Sequence, residues 1–217
     1  MQLYHWQDIL LATEKDGMTA KQIQIIAAAI ELFGEKGCAG TSTKEIAQRA
    51  KVAEGTIFKH YATKKELLMS VTAIILNNLL FPIVSYGLED LMKRSYSNLE
   101  EFFEALLSNR LELIQNNHIL LKVLLQESLF QPEIRIAVIE KVNSLPLHRG
   151  LEELKKQGLI IDRPADEVFT LAITSLVSYV FTRYLFLPEM FVNDIEADRQ
   201  RYVKFLARAF KPESQLA

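Results

Sequence analysis

The stretch from Ser42 to Lys65, STKEIAQRAKVAEGTIFKHYATKK, restricts the possible folds more than any other part of the chain. Ser42 suits a helix N-cap, and Glu45 three residues on completes a capping box. Ile46, Ala47 and Ala50 recur at helical spacing, so the first helix buries a face of small residues. Val52 is the apolar residue after a tight turn, and a second helix from about Ala53 carries Ile57 inward. Short helices with small contact residues and a turn of three or four residues suit a helix-turn-helix, whose second helix enters a DNA major groove.

Charge agrees. From Lys36 to Lys65 there are seven Lys and Arg against two Glu, a window of +5 in a chain of −2, which leaves −7 elsewhere. A basic module on an acidic body is the electrostatic footprint of a protein that turns one face to phosphates. A solvated basic helical pair with no nucleic-acid role would show the same composition.

A set of residues then falls in a familiar order and spacing: Ala27-Ala28, Leu32-Phe33, Glu35-Lys36-Gly37, Ser42, Glu45-Ile46-Ala47, Ala50, Val52, Gly55-Thr56-Ile57-Phe58, His60-Tyr61 and Lys64-Lys65-Glu66-Leu67-Leu68. Together they resemble the N-terminal signature of the tetracycline-repressor (TetR/AcrR) family of bacterial regulators. The likeness runs from Ile23 to Val71; beyond it only the layout of helices is similar. Two residues depart from the family pattern. Lys51 stands where most members have Gly, and a left-handed backbone there costs about 1–2 kcal/mol for any other residue. Phe58 replaces a usual Tyr and so lacks a hydroxyl for phosphate or base.

Length allows one small module and one core-forming domain. Cys38 is the only cysteine, so no intrachain disulfide forms and a reducing compartment is expected. No Lys or Arg precedes Lys15 and Asp8 interrupts the early apolar run, unlike a secretory signal, so a cytoplasmic location is expected. Residues 1–18 form an arm, either a short helix on the body, an extension reaching DNA with Lys15, or a loose terminus. Thr19 to Phe33 is predicted helical with Ile23, Ile26, Ala27, Ile30 and Phe33 on one face. Gly34, Gly37 and Gly40 mark a helix end and loop, at the wrong spacing for a dinucleotide fingerprint.

Thr63 is expected to cap a helix from Lys64 to about Leu80, buried through Leu67, Val71, Ile74, Ile75 and Leu79 and stopped by Pro82. Leu67 to Leu88 carries no charge, yet Asn77, Asn78, Pro82 and Gly87 interrupt it, so a buried linking helix is predicted rather than a membrane span. Further helices are predicted from Asn98 with Glu101, from His118 to Ser128, from Pro132 with a break near Pro146 to Gln157, from Ala165 to Leu185, and over Ile195 to Phe210. No strand alternation or repeat is visible. The fold class expected is all-α: a three-helix head with a helix-turn-helix at 19–65, and a helical bundle at 66–217 for ligand binding and dimerisation.

The expected function is a ligand-responsive, dimeric repressor of a palindromic operator. In the head, Ser42 and Thr43 offer hydroxyls and amides to phosphate, and Lys44 reaches a guanine edge or a phosphate. Glu54, Gly55 and Thr56 open the recognition helix, while Lys59, His60 and Lys64 suit phosphate. Tyr61 is either a DNA contact or core. In the bundle, Phe169, Ile173, Leu176, Val180 and Tyr184 form one stripe and Leu171, Ser175, Ser178 and Thr182 another, giving either a bundle centre or a two-fold interface. The resemblance implies the second, with the last two helices of each copy packed together. It also implies a small-molecule effector between body helices that spoils the spacing of the heads. An apolar or amphipathic effector is expected, with Tyr86, Phe102, Phe103, His118, Gln126 and Phe169 as candidate lining, each equally at home as core or surface. No enzyme, cofactor or metal signature is present: there is no nucleophile elbow or P-loop, and the four His lack ligand spacing. A helical small-molecule carrier that never touches DNA is the alternative.

Overall fold

The computed structural model describes residues 6–12, 17–145, 147–186 and 195–212, and among them the chain forms eleven α-helices and no strand. They are α1 (Trp6–Ala12), α2 (Ala20–Lys36), α3 (Thr43–Arg49), α4 (Glu54–His60), α5 (Lys64–Ile74), α6 (Phe81–Lys93), α7 (Leu99–Phe130), α8 (Pro132–Asn143), α9 (Leu147–Lys156), α10 (Ala165–Val180) and α11 (Ile195–Phe210). Packing divides the chain into one unit of residues 1–85 with 113–144 and a second of residues 86–112 with 145–217.

The first unit is built on α2. The Thr19 hydroxyl accepts the Gln22 amide at 3.3 Å and the Gln22 side chain accepts the Thr19 amide at 3.0 Å, a capping box that starts the helix. Gly37, at φ 75, lets the chain leave it. Burial wraps further round α2 than one face: Ile25, Ala29 and Leu32 join Ile23, Ile26, Ile30 and Phe33, and Ala27 is only half-buried. The cause is packing on several sides, by α1, α3 and α5. Of the three possibilities for the arm, residues 6–12 form a helix that buries Trp6 and Leu10 against α2 and the start of the segment after α5. Tyr4 and Lys15 lie outside the described residues.

Thr63 caps α5 by accepting the Glu66 amide at 3.0 Å, and Leu67, Val71, Ile75 and Leu79 are fully buried. Pro82 does not stop this helix. The backbone widens into a π-helical segment over Ile75–Leu80, closed by the Phe81 amide on the Leu76 carbonyl, and α6 continues to Lys93. A widened turn tolerates a residue with no N–H and a bulky ring, which a regular turn does not. The stretch Lys64–Lys93 is long and apolar enough to cross a membrane, but about half of its most apolar window is buried inside the protein. It is used as core.

A break before His118 is expected from the sequence; instead, one long helix runs from Leu99 to Phe130 with a kink at Asn117 (φ −133, ψ 22). The buried Asn117 side-chain amide donates to the Leu113 carbonyl at 3.0 Å, a side chain bonding into the helix ladder at the kink. Asn98 caps the helix through the Glu101 amide at 2.9 Å, and Pro132 sits at the start of α8.

In the second unit α9 ends at Gly158 (φ 68), with Leu159 N–H reaching the Leu154 carbonyl at 3.0 Å. Pro146 lies outside the described residues. Tyr96, Phe102, Phe103 and Phe210 form a chain of rings with centroids 5.3–5.7 Å apart. α10 and α11 are joined by the stacked rings of Tyr179 and Tyr202, 4.0 Å apart, and by the Tyr179 hydroxyl on Asp198 at 3.1 Å. Leu176 and Val180 of α10 turn inward, while Leu171, Val177 and Phe181 beyond it remain exposed. The Phe169 and Tyr184 side chains lie outside the described residues.

Candidate nucleic-acid interface

The predicted DNA-facing residues lie on α3, on α4 and at the start of α5, with Ser42 and Tyr61 at helix ends. Ser42 and Glu45 make the predicted box: the Glu45 amide reaches the Ser42 hydroxyl at 3.2 Å, and the Ser42 amide and hydroxyl both donate to Glu45 Oε2 at 2.8 Å. Lys36 also pairs with Glu45. The Lys36 ammonium first, then the Ser42 amide and hydroxyl, hold the Glu45 carboxyl down to about 2. A depressed folded value means the cap stays ionised, and is lost only as pH falls towards that value. Ile46, Ala47, Ala50 and Ile57 close the small core behind it.

The turn between α3 and α4 carries the predicted left-handed residue. Lys51 has φ 55, its amide reaching Gln48, and Val52 N–H reaches the Ala47 carbonyl at 3.0 Å. These bonds end α3, and they are why a backbone suited to Gly is held here by Lys. Lys51→Gly is expected to stabilise the head by about 1 kcal/mol in urea unfolding. It should also reduce the salt dependence of DNA binding by about one unit per head.

The cations of the module separate into two sets. Arg49 pairs with Glu31 and Glu35 at 3.0 and 3.1 Å, and Lys65 with Glu133 at 3.1 Å. Lys64 commits two of its three donors to the Cys38 and Thr41 carbonyls, each at 2.9 Å, so it holds the loop before α3. Lys44, Lys51 and Lys59 are exposed and make no ion pair among the described residues. His60 is also exposed. Sequence reasoning did not select Lys51 as a site residue, although its departure from Gly was the visible signal.

The opening of α4 is held by an internal contact: the Thr43 hydroxyl donates to Glu54 Oε1 at 2.6 Å, tying the two helices. Gly55 is exposed and a Cβ there would meet nothing within 4 Å, so the fold itself does not require glycine. Thr56 is half-buried. Tyr61 is 8% exposed, its phenol pushed up by burial, so its ring belongs to the head core.

A second internal clamp fixes the same loop. Glu127, on α7 and buried, accepts the Cys38 amide at 2.8 Å while Lys64 holds the Cys38 carbonyl. Burial, then the Glu127 charge, pushes the Cys38 thiol up. Glu127→Ala strands a buried N–H and is expected to cost roughly 1–3 kcal/mol of stability, read by urea unfolding.

The candidate ligand-lining residues do not converge. Phe102 and Phe103 sit in the ring cluster of the second unit, Tyr86 is 56% exposed, and His118 is exposed on α7. Gln126 lines a groove of about 470 Å³ with Cys38, Lys64, Leu68, Glu127 and Phe130 in the first unit. Another first-unit groove, of about 450 Å³, lies between α5 and α8, lined by Met69, Thr72, Leu76, Ile134, Ala137 and Lys141. Neither groove includes Tyr86, Phe102, Phe103 or His118. Phe102 and Phe103 are large apolar residues whose rings the core itself consumes. No cluster that could hold a metal occurs among the described residues.

Comparison with known proteins agrees with the geometry. Residues 25–71 match the bacterial regulatory proteins, tetR family. A transcriptional repressor of the HTH type from Mycobacterium tuberculosis is 47% identical over 47 residues, 22% of this chain and 25% of that protein. The fatty acid metabolism regulator protein of Bacillus subtilis is 39% identical over 51 residues, 24% of this chain and 26% of that one. These matches span only about a quarter of the curated relatives' length. The solved regulator FadR from Bacillus subtilis in complex with stearoyl-CoA shares the fold at a TM-score of 0.63 and 22% identity, covering 85% of this chain and 97% of that one.

Proposed function

We propose that this chain, whose residues 25–71 match the bacterial regulatory proteins of the tetR family, is a dimeric, ligand-responsive transcriptional regulator of that kind. It reads duplex DNA with residues 19–65 and senses a small molecule with residues 66–217. The observation that carries the reading is the capped, internally braced α3–α4 pair beside three unpaired lysines. A rigid short helix with free cations around it meets the two needs of operator binding, positioning on phosphate and access to base edges. Glu54, Gly55 and Thr56 face bases; Lys44, Lys51, Lys59 and His60 face phosphates, and Ser42, Thr43, Tyr61 and Lys64 hold the helices at the right depth.

One head buries too little surface for strong site-specific binding. Two copies joined through α10 and α11 place their recognition helices about 34–36 Å apart, on successive major grooves of a palindrome. The exposed Leu171, Val177 and Phe181 support that pairing, since apolar side chains of this size are costly to leave in water. An effector that prefers the DNA-incompetent arrangement releases the operator. The solved neighbour in complex with stearoyl-CoA supports an amphipathic effector with an acyl tail. The protein acts as a repressor in the cytoplasm, with no catalytic step.

Footprinting of the purified chain across its source DNA tests this. Protection of a palindrome is the expected result. No retarded duplex at micromolar protein and low salt leaves the helical carrier as the surviving reading.

A further inference from the structure

The second unit holds a cation that the DNA-reading surface does not use and that its own surroundings do not balance. Arg110 of α7 is half-buried, with Nε sealed from water and without an acceptor. Its Nη2 donates to the side-chain oxygen of its own neighbour Asn109. No carboxylate pairs with it among the described residues, and burial alone pushes the guanidinium down to about 10. Two other arginines of this unit are compensated: Arg199 meets Glu104 and Glu196 at 2.8 and 2.9 Å, and Arg94 meets Asp90 at 2.5 Å. A guanidinium offers five donors in a fixed fork that matches carboxylate and phosphate oxygens. Leaving it desolvated without an anion costs stability, and an apolar side chain of similar size would serve the core better.

The opposing helix comes close to this pair through a glycine. Gly87 of α6 faces this pair so closely that a Cβ would lie 3.2 Å from Arg110 Nη2 and 3.0 and 3.1 Å from the Asn109 amide atoms. A methyl group at that position would press on the polar pair. The buried side chains of the unit are otherwise largely apolar, among them Leu88, Leu91, Phe103 and Leu107.

We propose that Arg110, with Asn109 beside it and Gly87 opposite, receives the anionic head group of the effector, a carboxylate or phosphate carried on an apolar tail. This inference rests on the ligand-responsive reading above. The uncompensated cation is then a binding group, kept at a cost in stability as binding residues often are.

The test uses the full chain and three probes of equal tail: palmitate, hexadecyl phosphate and uncharged methyl palmitate, titrated calorimetrically. Wild type is expected to prefer at least one anion over the ester by tenfold or more, the preferred anion naming the head group. Arg110→Met is expected to erase the preference and Arg110→Lys to keep part of it. Without ligand, Arg110→Met is expected to melt about 2–4 °C above wild type, because an unbalanced charge is gone. Gly87→Ala, which leaves the cation in place but crowds it, is expected to weaken anion binding and spare the ester. Equal binding of anion and ester by wild type overturns the inference. So does an unchanged anion preference in Arg110→Met, or a melt several degrees lower in that variant. Gel shifts on the same samples separate the two readings: retained DNA binding without anion preference removes only the head-group assignment, whereas a wild type that shifts no DNA removes the regulator itself.

Discussion

Val177→Glu is expected to yield a folded monomer whose affinity for a palindromic operator is lower by at least 100-fold. Val177 is 56% exposed and Leu171 54% exposed on the same helix, so the substitution removes no core contact. Surface changes of that kind usually alter stability by no more than about 0.5 kcal/mol. Paired copies would instead bury the new carboxylate near its symmetry mate, an unpaired like charge in an apolar interface. Losing the pair removes the gain from tethering two heads, which is about 10²–10⁴ in affinity. Light scattering gives the mass and fluorescence anisotropy the affinity. An unchanged dimer mass moves the interface away from α10.

The head was legible because its determinants are local. The Ser42–Glu45 box, the Thr63 cap and the left-handed Lys51 each depend on residues within a turn of one another, and each stands in the structure as read. The chain's behaviour at Pro82 was not legible. Proline ends a regular helix, and nothing in the residues before it announces that the backbone will widen over Ile75–Leu80. The kink at Asn117 was displaced into a break for a similar reason: the Leu-rich run after His118 looks like a new helix, and only the Asn117 side-chain bond shows that the old one continues.

The functional surface divides along the same line. Which residue types crowd the head could be read from the sequence, but which cations are free could not. Lys64 and Lys59 have the same chemistry and sit five positions apart, yet one is held by the Cys38 and Thr41 carbonyls and the other faces solvent. Pairings such as Lys65–Glu133 join residues far apart in the chain. For the ligand-lining candidates, a buried Phe103 and a pocket Phe are identical in composition, and only packing tells them apart.

That division sets the second large effect. Replacing Lys44, Lys51 and Lys59 together with Gln is expected to weaken binding on every sequence and to flatten its salt dependence. Each phosphate neutralised adds about 0.9 to the slope of log affinity against log salt. Three lysines on each of two heads therefore remove about 5 from that slope. Because all three are exposed and unpaired among the described residues, the unfolding transition should move little. Lys64→Ala gives the opposite pattern. It frees two loop carbonyls and is expected to lower stability while leaving most of the slope intact. Thr56→Ala touches no charge, so it should change preference between sequences at a constant slope. Titrations at several salt concentrations, on an operator and on a scrambled duplex, distinguish the three outcomes. A triple variant with an unaltered slope places the phosphates on another face of the protein.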